Sequence, residues 1–385
     1  MFMMEKALKG SRRYRAWLIC LFCIVAAGFC FYLRQLDQGL GITGLSRDVS
    51  WGLYIAQFTF FVGVAASAVM VVLPYYLHDE KDFGRVTILG EFLAIDSVVM
   101  CILFIMVDLG QPARVLNIIL YPSPRSLMFW DMVSLSGYLL LNAIVAFTTL
   151  RAEREEVHTP RWMKALALIS IPWAISIHTV TAFLYSGLAG RSFWMTAILA
   201  PRFLASAFSS GPALLILLCL ALRRIADYNV SEEAIRKLSV IMTYAMAINV
   251  FFVLVEVFTV FYAKIPEHLE HFEFLYTSVG GGFSLAPWMW ISAGCAVAAL
   301  AILLAPAWRN RMLPLGCMLV FISLWLEKGL GLIVGGFEPS PLGAVTPYVP
   351  TLPEWSIVLG IWAAGAFLIT VFYKMTLSVR KDAKG

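Results

Sequence analysis

The chain has 385 residues, of which 61% are hydrophobic and 14% charged, with a formal net charge of +5. Soluble domains sit nearer about 45–50% apolar and about 25% charged. The composition therefore excludes a water-soluble globular protein and predicts an all-α polytopic membrane protein in contact with the lipid bilayer, with no nucleic-acid partner.

Apolar runs occur at residues 16–33, 53–77, 86–107, 129–150, 163–186, 203–222, 238–262, 284–305, 312–334 and 355–373. Each is near the ~20 residues a helix needs to cross ~30 Å of hydrocarbon, which predicts ten transmembrane helices. The second and seventh are long enough to tilt, and Pro201 and Pro212 flank and interrupt the sixth. The first follows Lys6, Lys9, Arg12, Arg13 and Arg15, a charged start like that of a signal peptide. Its apolar run is too long for one and ends in Arg34-Gln35 without a small-residue cleavage site, so it is read as a retained helix. No loop is long enough for a soluble domain, and residues 1–385 form one integral membrane domain.

Lys and Arg alternate in density from side to side. The N-terminus, the loops near 78–85, 151–164, 223–237 and 309–311, and the C-terminus hold about 21, and the other five loops about 7. The positive-inside rule then puts both termini in the cytoplasm of a multi-pass protein of the cytoplasmic membrane. The same basic clusters suit contact with anionic lipid.

Seven cysteines all fall in apolar runs; Cys20 and Cys23 form a lone Cys-x-x-Cys with no second pair at cluster spacing. A buried cysteine is ordinarily a small hydrophobe. Of the five histidines, His78 and His158 fall in cytoplasmic loops and His268 and His271 in an outer loop, leaving His178 inside the membrane. Neither a haem nor an iron–sulfur cluster is expected in this chain.

The informative residues are the ionisable ones inside apolar runs: Glu91, Asp96, His178, Glu256, Glu327 and Lys328. A charge at the centre of a membrane helix costs roughly 2.5–3.5 kcal/mol on insertion scales. Asp96 falls near the middle of the third run, with Glu91 toward the cytoplasm and the others in outer halves. Glu91 and Asp96 point ~140° apart on a helix, and Glu327 and Lys328 ~100° apart. Neither pair shares a face, so each group is expected to find its partner on another helix. Lys328 with a carboxylate partner reads equally as a structural or a functional pair. His178 reads equally as a core histidine bonded to Ser or Thr or as a ligand contact. Asp108 and Arg114 are expected to form an interface ion pair about a helix end broken by Pro112.

The outer loops carry Gly110-Gln111-Pro112, Tyr121-Pro122-Ser123-Pro124, Gly280-Gly281-Gly282, Pro339-Ser340-Pro341 and Pro347 to Pro353, which predicts ordered turns. Their aromatics, Phe193, Trp194, Tyr276, Phe283, Trp288, Tyr348 and Trp355, suit either a docking surface for an extramembrane partner or an interfacial belt.

Several segments together resemble one family. Trp51-Gly-Leu-Tyr-Ile-Ala and Phe61-Val-Gly-Val-Ala-Ala-Ser resemble the opening helix of the NrfD/PsrC-like membrane subunits. Asp108-Leu-Gly-Gln-Pro-Ala-Arg, His178-Thr-Val-Thr-Ala-Phe, Gly190-Arg191-Ser-Phe-Trp194 and Pro201-Arg202-Phe-Leu-Ala-Ser-Ala resemble its middle section. Glu327-Lys-Gly, Gly336-Phe-Glu-Pro-Ser-Pro and Tyr348-x-Pro-Thr-x-x-Glu354 are similar to its ten-helix branch, that of DsrP and HmeB. The likeness covers about residues 45–375.

The resemblance implies two four-helix bundles, here 51–186 and 203–334, with residues 1–50 before them, a last helix at 355–373 and a tail at 374–385. It implies a quinone site near the outer face, with menaquinone the expected quinone, and an outer-face iron–sulfur partner (DsrO-like). A multihaem cytochrome c (DsrJ-like), a membrane cytochrome b subunit and a cytoplasmic iron–sulfur subunit (DsrM/DsrK-like) are the further partners it implies. Shorter members carry a histidine just before the Trp-Gly element, where Ser50 stands in this chain.

A quinone headgroup needs hydrogen-bonding groups at its two oxygens and a proton route, in an apolar cleft. Trp51, Gln57, Asp108, Arg114 and His178 are therefore expected at the headgroup, with Asp96 and His178 as the catalytic pair. Glu91, Asp96, Glu256, Glu327 and Lys328 are expected on a proton path. A structural anchor for redox partners, and a secondary transporter, use the same buried charges, although no convincing inverted repeat supports the transporter. Reporter fusions at Gly385 and within residues 335–354 should report opposite sides of the membrane; a shared side would exclude ten spans.

Overall fold

A computed structural model describes residues 10–382 apart from 78–79, 156, 158–159, 227, 229 and 278–283. His78, His158, Gly280 to Gly282, Phe283 and Gly385 therefore lie outside the described residues. Within them are ten helices long and apolar enough to cross a membrane: α1 Arg12–Gln38, α2 Leu53–Tyr76, α3 Gly84–Asp108, α4 Leu127–Glu155, α5 Arg161–Ser186, α6 Leu199–Ala226, α7 Glu232–Ala263, α8 Ala286–Leu304, α9 Pro306–Phe337 and α10 Leu352–Val379. They match the ten apolar runs one for one. Helix is the form that satisfies every backbone N–H and C=O within its own segment, which hydrocarbon demands.

The departure from the expected limits that bears on the buried charges is that of α6. It begins at Leu199, not 203, and passes through Pro212, so Arg202 lies inside its first turns. Helix α9 is also irregular. Its stretch Trp325–Gly331 is π-helical, a local widening that recurs at functional positions.

Helix α2 is the centre of the assembly. Every residue from Leu53 to Ala65 is buried, and α2 packs on α3, α6 and α9. Helices α4 and α5 pack together, as do α6 with α7 and α8 with α9, while α1 pairs with α10 at the flank of α3. Gln35 of α1 ties this flank inward: its amide donates to Val107 O at 2.7 Å and accepts from the Tyr54 hydroxyl at 2.7 Å.

The start of α2 is pinned by the Tyr348 to Glu354 segment. Glu354, fully buried, accepts from the N–H of Gly44 at 2.7 Å, the N–H of Thr351 at 2.8 Å and the Tyr348 hydroxyl at 2.7 Å. The same hydroxyl accepts from Leu53 N at 2.7 Å, capping an N-terminal donor that would otherwise be orphaned. A Cβ at Gly52 would stand 2.4 Å from the Tyr348 ring, so only glycine lets the chain pass between Trp51 and α2.

The loop aromatics divide between interior and surface. Trp194, Phe193 and Tyr348 are buried, which places these three in neither a docking surface nor an interfacial belt; Trp288 and Trp355 are exposed. Trp194 donates to Leu332 O at 2.9 Å.

Helices α1 and α10 touch backbone to backbone, a Cβ at Gly28 standing 2.7 Å from Gly360 Cα. Such small-residue contacts hold helices together where no hydrophobic drive acts between them. Gly28→Ala returns about 1 kcal/mol of helix propensity, yet overpacking costs about 1–3 kcal/mol and should win. Gly28→Leu should lower the thermal midpoint in detergent by more than Gly28→Ala.

Candidate functional site

Two groups of buried polar side chains can be built from these helices. The first surrounds a cavity of about 260 Å³ between α2, α3, α4 and α5 at the end that carries the Asp108 turn. Trp51, Asp108, Asp131 and Tyr185 form its polar rim, and Ile55, Phe58, Met128 and Met132 are among its apolar walls. Asp131 is buried and accepts from the Thr181 hydroxyl at 2.7 Å. The Tyr185 and Thr59 hydroxyls lie 2.5 Å apart. Asp108 keeps one carboxyl oxygen buried without a hydrogen-bond partner.

Aromatic rings fix the mouth. Trp51 meets Tyr185 edge-on with centroids 5.7 Å apart, Trp194 at 6.1 Å and Phe337 at 5.7 Å. Arg191 lies 4.3 Å from the centroid of the Phe337 ring and donates to its carbonyl at 3.1 Å. Beyond the membrane helices, burial pushes the Glu338 carboxyl up to about 7 although the Thr346 N–H donates to both its oxygens. Burial also lowers the neighbouring His271 imidazole, whose Nδ1 lies 2.9 Å from the carbonyl oxygen of Glu338.

The second group lies between α6, α7 and α9. The Arg202 guanidinium donates to Glu256 through one nitrogen and to Glu327 through another. Lys328 turns the other way, its Nζ 3.5 Å from Phe203 O and 4.3 Å from the centroid of the Phe203 ring, beside Gly63 of α2. The π-helical turn separates the adjacent Glu327 and Lys328 onto different neighbours. Glu327 thus has its expected partner on another helix, but Lys328 has no carboxylate within ion-pair distance among the described residues. One cation, Arg202, thus lies between two carboxyl groups, Glu256 and Glu327.

The headgroup constellation expected from sequence is divided. Trp51 and Asp108 line the cavity; Gln57, Arg114 and His178 are not in its wall. Gln57 faces away, its Oε1 accepting from Trp325 Nε1 at 2.9 Å and Trp362 Nε1 at 3.1 Å. Arg114 is exposed and forms no ion pair with Asp108, because the helix ends at Asp108 and the following turn carries Arg114 outward. His178 is fully buried, and neither ring nitrogen has a hydrogen-bond partner. The core histidine bonded to Ser or Thr is thereby excluded among the described residues. Asp96 lies on a different groove, lined by α1, α3 and α10. Both carboxyl oxygens of Glu91 are buried without partners.

Sequence reading did not single out Asp131, Tyr185 or Arg202 as site residues. An acid next to Trp130 at the edge of a span was a signal for Asp131. Arg202 fell one residue outside the expected start of α6.

The family model described as "Polysulphide reductase, NrfD" matches residues 41–335. The chain is 26% identical to the Hdr-like menaquinol oxidoreductase integral membrane subunit of Archaeoglobus fulgidus, over 96% of this chain and 95% of that one. It is 24% identical to a selenate reductase subunit of Mesobacillus selenatarsenatis, over 88% of each. It is 20% identical to the menaquinone reductase integral membrane subunit of Nitratidesulfovibrio vulgaris, over 94% of this chain and 91% of that one.

Arg202→Gln should strand two buried carboxylates and cost about 3–5 kcal/mol, read as a lowered thermal midpoint or lost membrane insertion. Adding Glu256→Gln and Glu327→Gln should restore most of the loss, since no uncompensated anion is then left in the pair.

Proposed function

This chain belongs to the polysulphide reductase NrfD family, and from that premise we propose that it is the quinone-interacting membrane subunit of a multi-subunit respiratory redox complex. It exchanges electrons between a menaquinone/menaquinol pool and an iron–sulfur partner docked on the outer face. The observation that carries this reading is the cavity at Trp51, Asp108, Asp131 and Tyr185: apolar walls, two carboxylates and a phenol converging at one end. The names of the Archaeoglobus and Nitratidesulfovibrio relatives support menaquinol as the substrate.

Oxidising a quinol releases two protons and two electrons. Asp108, with a carboxyl oxygen free of partners, and Asp131, held by Thr181, are the groups that accept the two hydroxyl protons in this reading. Tyr185 is positioned by Thr59 to bond the same oxygens. Trp51 and the Met128 and Met132 side chains clasp the ring, and α3 and α4 flank the tail. The electrons leave to the docked partner.

Within the family, the ten-helix branch of DsrP and HmeB is the proposed placement. A DsrO-like iron–sulfur protein, a DsrJ-like multihaem cytochrome c and DsrM/DsrK-like subunits are the corresponding partners. The division into bundles at 51–186 and 203–334, and termini in the cytoplasm, belong to the same proposal. Of the groups expected on a proton path, Glu91 and Asp96 keep carboxyl oxygens without partners and serve as its stations. Glu256 and Glu327 are engaged by Arg202, which favours a register-holding role for them.

Asp108→Asn and Asp131→Asn should each leave the complex assembled and lower quinol oxidation and quinone-analogue affinity roughly tenfold or more. That is the scale of one hydrogen bond to a charged group, about 1.5–3 kcal/mol. Unchanged affinity in both variants would overturn the site.

A further inference from the structure

The groove that holds Asp96 is separate from the cavity above. It measures about 260 Å³ and lies where α3 meets the flanking pair α1 and α10, with Phe22, Met100, Leu103, Gly365 and Leu368 in its walls. Asp96 is the only ionisable group among its lining residues. That carboxyl is 4% exposed, and its Oδ1 is buried with no hydrogen-bond partner. An acceptor left unbonded in hydrocarbon is costly, and native structures seldom leave one without a ligand, water or ion.

Depth narrows what can satisfy it. Asp96 is 12 residues from Gly84 and 12 from Asp108, the two ends of α3, so it sits at mid-membrane. The hydroxyls and amines of ordinary lipids are held at the interface, about 15 Å away across half of a ~30 Å hydrocarbon core. A water needs about 2–4 polar partners, and Asp96 is the one polar side chain among the groove's lining residues, so the donor that fits is a molecule whose polar atoms travel in hydrocarbon on an apolar ring. An isoprenoid quinol has that character: two phenolic hydroxyls on a flat ring, with a fully apolar tail. The carboxyl can accept from such a hydroxyl whether it is ionised or protonated. A 150 Å³ apolar cavity takes benzene, so this groove has room for a larger ring. Its wall follows α3 from Asp96 to Leu103, about 10 Å of helix, continuing toward the tail's lipid surroundings.

We propose that the α1/α3/α10 groove is a second, lipid-facing quinol site, anchored by Asp96. It rests on the quinol reading given above. The two sites use opposite faces of one helix, Asp96, Val99, Met100 and Leu103 here and Ile102, Ile105, Met106 and Asp108 in the cavity. Asp96 and Asp108 are about 18 Å apart along α3, so the groove holds quinol without taking part in the outer-face electron step. It is a holding station from which the cavity refills.

The test is photolabelling of the full chain in quinone-free lipid nanodiscs with a short-tailed azido-naphthoquinol kept reduced, followed by peptide mass spectrometry. Two labelled regions are expected, one spanning 96–103 and 364–368 and one at 128–136 and 105–109. Asp96→Leu should lower the groove label about tenfold and leave the cavity label in place. Asp96→Asn, which keeps an acceptor oxygen, should retain most of it. Val99→Trp, which fills the groove with the carboxyl intact, should also abolish the groove label. Label at the cavity alone would overturn the second site and leave the proposed function standing. A groove label indifferent to Asp96→Leu would overturn the anchoring role. No label at either place would defeat the quinol reading and the second site with it.

Discussion

Arg202 of α6 lies between Glu256 of α7 and Glu327 of α9, in a part of the bundle from which water is almost excluded. Each of these charges alone would cost several kcal/mol in such surroundings. Each helix can keep its charge only while the others stay in register. That mutual dependence fixes where α9 sits against α6 and α7. The π-helical turn of α9 is part of the solution, because it sends Glu327 to Arg202 and Lys328 toward α2. The central helix α2 is thereby bounded by a charged neighbour on one side and by the cavity on the other.

At the Asp108 end the same demand is met by hydrogen bonding rather than by opposite charge. Glu354 gathers two backbone N–H groups and a phenol, and the phenol caps α2. This fixes the approach of Trp51, which in turn packs on Tyr185, Trp194 and Phe337. The rigidity of the cavity mouth therefore derives from residues scattered between positions 44 and 354. A preorganised site of that kind loses little to reordering when a ligand enters.

Against this well-satisfied frame, the unsatisfied atoms stand out. Asp96, Asp108, Glu91 and His178 each keep a buried polar atom without a partner, as do Gln57, Asn249 and Arg309, whereas Glu354 and Arg202 are engaged by several partners. A buried polar atom without a partner calls for an explanation, such as a ligand or a proton. Four of these residues lie at the cavity, in the groove or along α3 and α5.

How much of this is legible in the sequence follows from the range of each interaction. Ten helices could be read directly, because a span is a local property: about 20 apolar residues and the need to satisfy their own backbone. The unusual standing of Asp96, His178, Glu256, Glu327 and Lys328 was equally legible, since a charge in an apolar run is costly wherever the run is placed. Direction was not. Whether Gln57 faces the cavity or Trp325 and Trp362, and whether Asp96 faces the bundle or the flank at α1 and α10, depends on which helix lies beside each face. Asp131, Tyr185 and Arg202 gained their places from partners 50 to 126 positions away in the chain. Sequence by itself determined the number of helices and the identity of the costly buried groups. Only tertiary packing decided which of those groups are paired and which are left open to a ligand, because pairing is a relation between helices that no single helix encodes.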